Sequence, residues 1–171
     1  EDLYICFCYI PPSNSVYYEK HNIVFFESLE QKIRLYESKG KVIVMGNLNA
    51  RCGERDDFVE NIDLFNKFIP EIDKNDCCCS SSDLPKRFTM DKNVNTLGLK
   101  LLDICTSCSL KIVNGRTGCD AGVGGYTYYS QAGNSLIDYA LMSYEIFDII
   151  DDFIVHDLYT CSPHTPIELD I

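Results

Sequence analysis

The hydrophobic pattern begins with a nearly continuous apolar run from Leu3 to Ile10 (LYICFCYI). Such a run, without polar alternation, is typical of a strand buried on both faces. Apolar residues then recur at helical spacing from Tyr17 to about Ser38, which predicts an amphipathic helix. Lys41 to Met45 (KVIVM) is β-branched and predicts a second strand. The order strand, helix, strand predicts an α/β layered fold.

The middle of the chain, Arg51 to about Asn93, lacks a hydrophobic period and contains the polar stretch DKNDCCCSSSDLPKR. It therefore predicts a long surface excursion. A second amphipathic helix is expected around Leu97 to Cys108, followed by a short strand from Leu110 to Val113. Further strands are predicted at Tyr126–Tyr129, Leu136–Met142, Phe153–His156 and Ile167–Ile171. We find no internal repeat, so residues 1–171 are expected to form a single domain.

Composition and charge restrict the partners that this chain is expected to bind. Hydrophobic residues make up 46% of the 171 residues, enough for a core of ordinary size. Asp and Glu outnumber Lys and Arg by 26 to 15, which gives a net charge of −11. Because nucleic-acid binders usually carry a basic footprint, this charge weighs against DNA as a partner. The acidic runs Glu54–Asp57 and Asp148–Asp152 are expected to be solvated faces that repel a phosphate backbone.

The ten cysteines do not have the spacing of a secreted disulfide framework. Three of them, residues 77–79, are consecutive, and no cleavable leader precedes Glu1. We therefore expect reduced thiols and an intracellular location, in the nucleus or the cytoplasm. Cys105 and Cys108 form a CxxC, but they lie on an apolar helical stripe and are expected to be buried small hydrophobes. No apolar run reaches membrane-spanning length, so no membrane partner is expected.

Four short motifs carry a resemblance to a known family. They are CYIPPSN (Cys8–Asn14), GNLNARCG (Gly46–Gly53), SLIDYALMS (Ser135–Ser143) and CSPHTPI (Cys161–Ile167). In this order, with NGRTG and GGYTYYS between them, the chain resembles the endonuclease/exonuclease/phosphatase superfamily, and specifically the endonuclease domain of non-LTR retrotransposons. That family shows YIPP, GDFNAR-G, NG with G-YT, S-IDY-L-S and SDH-P.

The resemblance implies a fold and a chemistry. The fold would be a four-layer α/β sandwich, in which two sheets pack face to face with helices outside. This chain would form the C-terminal two-thirds of it and lack its first strands. The ancestral activity would be metal-dependent hydrolysis of DNA phosphodiester bonds, with Mg²⁺ or Mn²⁺ as the cofactor.

Carried over residue by residue, the resemblance implies five site positions. Tyr9 would help to hold the scissile phosphate, and Asn47 occupies the position of the aspartate that orients or deprotonates the attacking water. Asn49 would bind the phosphate and the leaving oxygen. Asp138 would orient the catalytic histidine, which is His164.

Two departures from the family pattern fall on catalytic acids. Asn47 can accept a hydrogen bond from water, but it cannot accept a proton near neutral pH. Pro163 stands where the family has an aspartate, so that carboxylate is lost, and with it an anionic ligand that a hard cation prefers. The family also carries a glutamate in an upstream segment, its main metal ligand, for which this sequence has no counterpart.

Each site residue also has a structural interpretation. Asp138 could cap a turn or pair with a surface base, and His164 could be a loop histidine. Tyr9 could be part of the core, and Asn49 could be a turn former, because asparagine favours bent backbone. Arg51 could contact phosphate or lie on the surface.

Three functional hypotheses follow from the sequence. The first is a degenerate retrotransposon-endonuclease-like domain with weak or no activity. The second is a non-catalytic module that binds a protein or nucleic acid through the old cleft. The third is a nuclease in which other acids, such as Asp83 or Asp157, replace the missing ones. If the first strands are missing, an exposed apolar sheet surface should promote self-association.

Overall fold

A mixed four-stranded sheet organises the chain in the computed structural model, which describes residues 2–21, 24–58 and 84–171. The strand order is β1-β2-β6-β3, with β1 and β2 parallel and the other neighbours antiparallel. Its strands are β1 (Asp2–Tyr9), β2 (Gly40–Asn47), β3 (Leu110–Ile112) and β6 (Asp138–Ser143). The fold is therefore of the mixed α/β class, as the sequence predicts.

Two smaller β units complete the described strands. A hairpin pairs β4 (Tyr128–Ser130) with β5 (Gly133–Ser135), and β7 (Asp152–Val155) pairs antiparallel with β8 (Ile167–Asp170). Short 3₁₀ helices occupy Gly118–Asp120 and Tyr144–Ile149. The predicted strands after residue 125 are thus present, with ends that differ by at most two residues, and β5 is an additional strand that was not predicted.

Three α-helices are described: α1 (Val16–His21), α2 (Phe25–Glu37) and α3 (Thr96–Ser107). The single helix predicted from Tyr17 to Ser38 is therefore divided into α1 and α2, with Val24 in extended geometry at the start of α2. Asn95 caps the start of helix α3, and its side-chain Oδ1 accepts a hydrogen bond from the Gly98 amide at 2.7 Å. This contact satisfies one of the free N–H groups at the helix start.

Helices α2 and α3 pack on one face of the sheet and form the main core with it. Helix α2 contributes Phe26, Leu29 and Ile33, all buried at helical spacing. Helix α3 contributes a wider apolar face, which includes the buried Cys105, and Cys108 just beyond the helix is buried as well. The expectation that these two cysteines are small core residues is confirmed, and every described cysteine is a free thiol.

The opposite face of the sheet is covered by the β7–β8 unit. Phe153 of β7 and Phe147 pack against Ile43 of β2 and Met142 of β6. The sheet thus lies between a helical layer and a second β layer over its central strands.

Strand β1 differs from its prediction as a strand buried on both faces. It lies at the edge of the described sheet, and the side chains of Tyr4, Cys6 and Cys8 pack on the helical core. Its odd-numbered side chains form an exposed apolar row, which we name the β1 stripe: Leu3, Ile5, Phe7 and Tyr9. An apolar run looks the same in the sequence whether one face or both faces are covered.

The prediction of a surface excursion from Arg51 to Asn93 holds only in part for the described residues, 51–58 and 84–93, of which about half are exposed. Asp57, Arg87, Thr89 and Asp91 are all buried polar residues. The cysteine triplet and Asp83 lie outside the described residues. The acidic run Glu54–Asp57 is likewise not a solvated face throughout, because Asp57 is fully buried against Arg116.

None of the described helices combines the length and the apolar character that a membrane span requires.

Candidate functional site

Three of the predicted site residues lie side by side at one end of the sheet. Tyr9, the last residue of β1, is in register with Asn47, the last residue of β2. Asn47 is in register with Asp138, the first residue of β6. Residues paired across neighbouring strands point to the same face, so the three side chains form a row on the face that β7 and β8 cover further along. We name them the site row.

His164 completes the site beside Asp138. Its Nδ1 lies 2.9 Å from Asp138 Oδ2. An ionised carboxylate can only accept a hydrogen bond, so Nδ1 carries the proton and donates. The other ring nitrogen, Nε2, is then available to exchange a proton with a bound molecule. The side chain of Asp138 is 13% exposed and that of His164 is 32% exposed, so the pair is open to solvent on one side.

The backbone and the ring of His164 are both held in place. The His164 amide donates to Ser162 Oγ at 3.0 Å. The ring of Tyr128 in β4 lies 4.8 Å from the imidazole, centroid to centroid. Pro163 contributes its carbonyl oxygen, which accepts a hydrogen bond from the Tyr129 amide at 2.8 Å. The loop that carries His164 is therefore attached to the β4–β5 hairpin.

Asp138 is positioned by two residues that the sequence did not single out. The fully buried Thr127 accepts hydrogen bonds at its Oγ1 from the amides of Ile137 and Asp138, at 3.1 and 3.0 Å. Asn114 donates from Nδ2 to the Asp138 carbonyl at 3.2 Å and accepts from the Ala140 amide at 3.0 Å. Both residues lie in motifs that resemble the family, GGYTYYS and NGRTG. This membership is the signal by which the sequence could have identified them.

Asn47 and Asn49 form a bent turn at the end of β2. Gly46 enters the turn with a φ of 138°, and a Cβ there would lie 2.0 Å from the Cys8 carbonyl oxygen. Only glycine fits this backbone. Asn47 Oδ1 accepts the Asn49 amide at 2.9 Å, and Asn49 donates from Nδ2 to the Ile10 carbonyl at 2.8 Å.

The turn-forming interpretation of Asn49 is thus confirmed, since its φ is 48°. One N–H of its amide group is used by Ile10, and a primary amide has a second one to offer. The position therefore remains compatible with a contact to an anionic oxygen.

Tyr9 is the most open member of the site row. Its residue surface is 63% exposed, which contradicts a core role. The neighbouring Tyr18 of α1 is anchored by a hydrogen bond from its hydroxyl to the Pro11 carbonyl at 2.8 Å. Burial, and to a lesser degree the proximity of Tyr9, raises the pKa of Tyr18.

Arg51 is held in an ion pair within the fold. It forms a bidentate pair with Asp91, with Nε–Oδ2 and Nη2–Oδ1 distances of 2.8 and 2.6 Å. Asp91 also accepts the Leu136 amide at 3.0 Å, two residues before Asp138. The arginine therefore fixes the approach to β6.

The side chains present do not by themselves fit a tight Mg²⁺ or Mn²⁺ site. Such cations prefer several carboxylate oxygens. The site offers one carboxylate, Asp138, and His164 occupies one of its oxygens. Within the described ranges, no group of three or more His, Cys, Asp or Glu side chains is placed to hold a metal ion.

The arrangement has a definite chemical capacity. An imidazole oriented by a carboxylate can donate or accept a proton at Nε2. The hydroxyl of Tyr9 and the amide groups of Asn47 and Asn49 are neutral hydrogen-bond donors at the same end of the sheet. The combination suits an anionic oxygen better than a cation.

Comparison with known sequences adds no family assignment. No protein-family model matches the chain, and no curated protein is significantly similar to it.

Proposed function

We propose that this chain is a degenerate relative of the endonuclease domain of non-LTR retrotransposons, with weak or no phosphodiesterase activity. The observation that supports this proposal best is the joining of four motif residues into one site. Tyr9, Asn47 and Asp138 share one row across three strands, and His164 bonds to Asp138. These residues are far apart in the sequence, so their meeting at one sheet end is not a consequence of local structure.

The layer arrangement supports the same proposal. Helices cover one face of the sheet, and β7 and β8 cover the other. A four-layer sandwich has the order helices, sheet, sheet, helices. The described layers fit the first three of these. The described second sheet has two strands.

Low activity follows from the chemistry of two positions. A carboxylate that acts as a general base is typically worth a factor of about 10² to 10⁴, and the amide of Asn47 cannot replace it. Pro163 supplies a carbonyl to the hairpin and no side-chain ligand. A divalent cation, when bound, would neutralise charge on the phosphoryl oxygens, and the single carboxylate of Asp138 is a poor holder for it.

The proposed ancestral substrate is DNA, and the charge of the chain predicts weak binding to it. A net charge of −11 gives little attraction to a phosphate backbone. Binding would have to rely on the neutral hydrogen-bond donors of the site, Tyr9, Asn47 and Asn49. We therefore expect any interaction to be measurable only at low salt.

A plasmid-nicking assay tests the proposal. Supercoiled plasmid is incubated with the purified chain at low salt with Mg²⁺ or Mn²⁺. The unmodified chain should nick slowly or not at all, and Asn47→Asp should raise the rate by about 10² to 10⁴ because it restores a proton acceptor. Asn134→Asp, at an exposed hairpin position, adds the same charge outside the site and serves as the matched control.

The outcomes separate the hypotheses. Nicking that Asn47→Asp increases and a further Asp138→Ala change removes would support the inherited site. Rapid nicking by the unmodified chain, lost in Asp138→Ala, would show a rebuilt nuclease and refute low activity. If neither the chain nor Asn47→Asp nicks DNA, the binding hypothesis becomes the better account of the cleft.

The second candidate is a non-catalytic binding module, and the β1 stripe favours it. Phe7 is 77% exposed and Ile5 is 53% exposed on an edge strand that leads directly to Tyr9. Exposed apolar edges of this kind promote pairing with another chain.

Sedimentation analysis should show self-association that Ile5→Lys reduces. If the protein only binds a partner, Mg²⁺ should not raise its melting temperature. If it has a working metal site, Mg²⁺ should raise its melting temperature.

A further inference from the structure

A cavity of about 220 Å³ lies beside β4, on the side away from His164. Successive residues of a strand point to opposite faces. Accordingly, the ring of Tyr128 packs on His164 while Tyr129 lines the cavity. The cavity is smaller than the roughly 300 to 1,000 Å³ of pockets for drug-sized ligands, so it suits a single head group.

Two tyrosine rings of the lining lie nearly at right angles to each other. The rings of Tyr126 and Tyr129 are 6.3 Å apart, centroid to centroid, with 79° between their planes. The Tyr126 hydroxyl donates to the Met90 carbonyl at 3.0 Å, which fixes the orientation of that ring. A right-angled corner suits a compact, rounded group. A flat nucleobase would be better held between parallel rings.

The charge of the cavity is negative. Asp157 is an exposed lining residue, and a second carboxylate, Asp120, is buried in the wall, where it accepts the Gly115 and Gly125 amides at 2.8 Å each. No lysine or arginine occurs among the described lining residues. The lining imidazole of His156 is paired with Glu168 at 2.8 Å, so it adds no unbalanced positive charge.

Four further lining side chains are apolar, and Cys119 and Gly125 complete the lining. Met90, Val123, Val155 and Leu158 contribute side chains that cannot replace the water shell of a metal ion. They can contact methyl groups. Aromatic faces, carboxylates and apolar contacts together are the surroundings in which methylated ammonium groups bind.

We propose that this cavity binds a small organic cation of the methylated ammonium class. Its positive charge would face the Tyr126 and Tyr129 rings and the Asp157 carboxylate of the lining, and the apolar side chains would contact the methyl groups. This site is separate from the Asp138–His164 pair and does not depend on nuclease activity.

Choline and its uncharged analogue 3,3-dimethyl-1-butanol test the proposal directly. The two probes have nearly the same shape and differ in the positive charge. A saturation-transfer NMR titration of the full chain should show choline binding about tenfold more tightly than the alcohol. Thymidine serves as a third probe for nucleobase binding.

Variants locate the effect in the cavity. Tyr129→Leu should reduce the preference for choline about fivefold or more, and Tyr129→Phe should keep it, because the ring is retained. Tyr159→Leu, at an exposed tyrosine outside the lining, is the matched control. Asp157→Asn is at the surface and should leave the fold intact while weakening choline binding about two- to fivefold.

Four results would overturn the proposal. They are equal binding of choline and the alcohol, binding of neither, binding of thymidine without choline, and an unchanged choline preference in both Tyr129→Leu and Asp157→Asn. If Tyr129→Leu fails to fold, Asp157→Asn alone decides.

Discussion

Two aspartates of this chain each pair with a basic side chain, and their surroundings are opposite. Asp57 and Arg116 are 0% and 2% exposed, with two contacts of 2.7 Å between the carboxylate and the guanidinium. Asp138 and His164 share one contact of 2.9 Å and are partly open to solvent. The first pair is surrounded by protein and connects distant segments. The second leaves a ring nitrogen accessible, so geometry rather than residue type separates a structural acid from a candidate catalytic one.

Removing the buried carboxylate should have the largest effect. Asp57→Asn keeps the shape of the side chain but leaves Arg116 buried without a counter-charge. We expect a loss of about 3 to 5 kcal/mol in the free energy of unfolding, measured by urea denaturation. Asp56→Asn changes the exposed neighbour and should have little effect. A similar small loss in both variants would contradict a structural role for the pair.

Asp91 lies between the two extremes. Its carboxylate holds Arg51 and accepts the amides of Asn93 and Leu136, at 3.1 and 3.0 Å. Asp91→Asn weakens these charge-assisted bonds, and we expect a loss of about 1.5 to 3 kcal/mol in the same denaturation measurement. An equal loss in Asp91→Asn and Asp57→Asn would mean that the difference in burial between the two ion pairs does not determine their contribution to stability.

Acid should act on the same two carboxylates. Burial alone would raise the pKa of Asp57, but the Arg116 hydrogen bonds and charge and the Ile112 amide outweigh it, so the pKa is lowered. The pKa of Asp91 is also lowered, because Arg51 and the Leu136 and Asn93 amides outweigh its burial. Their contribution is therefore complete above the unfolded pKa of about 3.9 and is lost as the pH falls through the lower folded values.

Denaturation midpoints measured from pH 5 down to about pH 2 check this direction. The unmodified chain should lose stability steadily below about pH 4, and Asp57→Asn should show a shallower slope. An equal slope in both proteins would show that Asp57 does not titrate with unfolding.

Asp138 should have the smallest effect on stability. Asp138→Asn removes the charge from one partly exposed contact, and we expect a loss of about 0.2 to 1 kcal/mol. Thermal unfolding of Asp138→Asn beside His164→Gln should give similarly small shifts. A loss as large as that of Asp57→Asn would identify the pair as a structural bond and would weaken the proposed site.

The sequence was sufficient for most of the elements and for part of the site, but it did not predict β5 or the division between α1 and α2. Periodicity located the strands and helices, since local hydrophobic spacing reflects which face is buried. The Asp138–His164 pair was expected from the motifs. Asp57 was predicted to be solvated, because nothing near it in the sequence reveals Arg116, 59 residues further on. The corner of Tyr126 and Tyr129 was predicted only as a strand, since strand spacing does not encode the angle between rings.

The position of β1 has a consequence for how the site opens. In the described sheet β1 is bonded to β2 alone, whereas β6 lies between β2 and β3. Amide hydrogens in β6 should therefore exchange with solvent much more slowly than those in β1. Local opening of the edge would carry Tyr9 away while Asp138 stays bonded to His164. We therefore expect the tyrosine end of the site row to open more readily than the Asp138 end, without global unfolding.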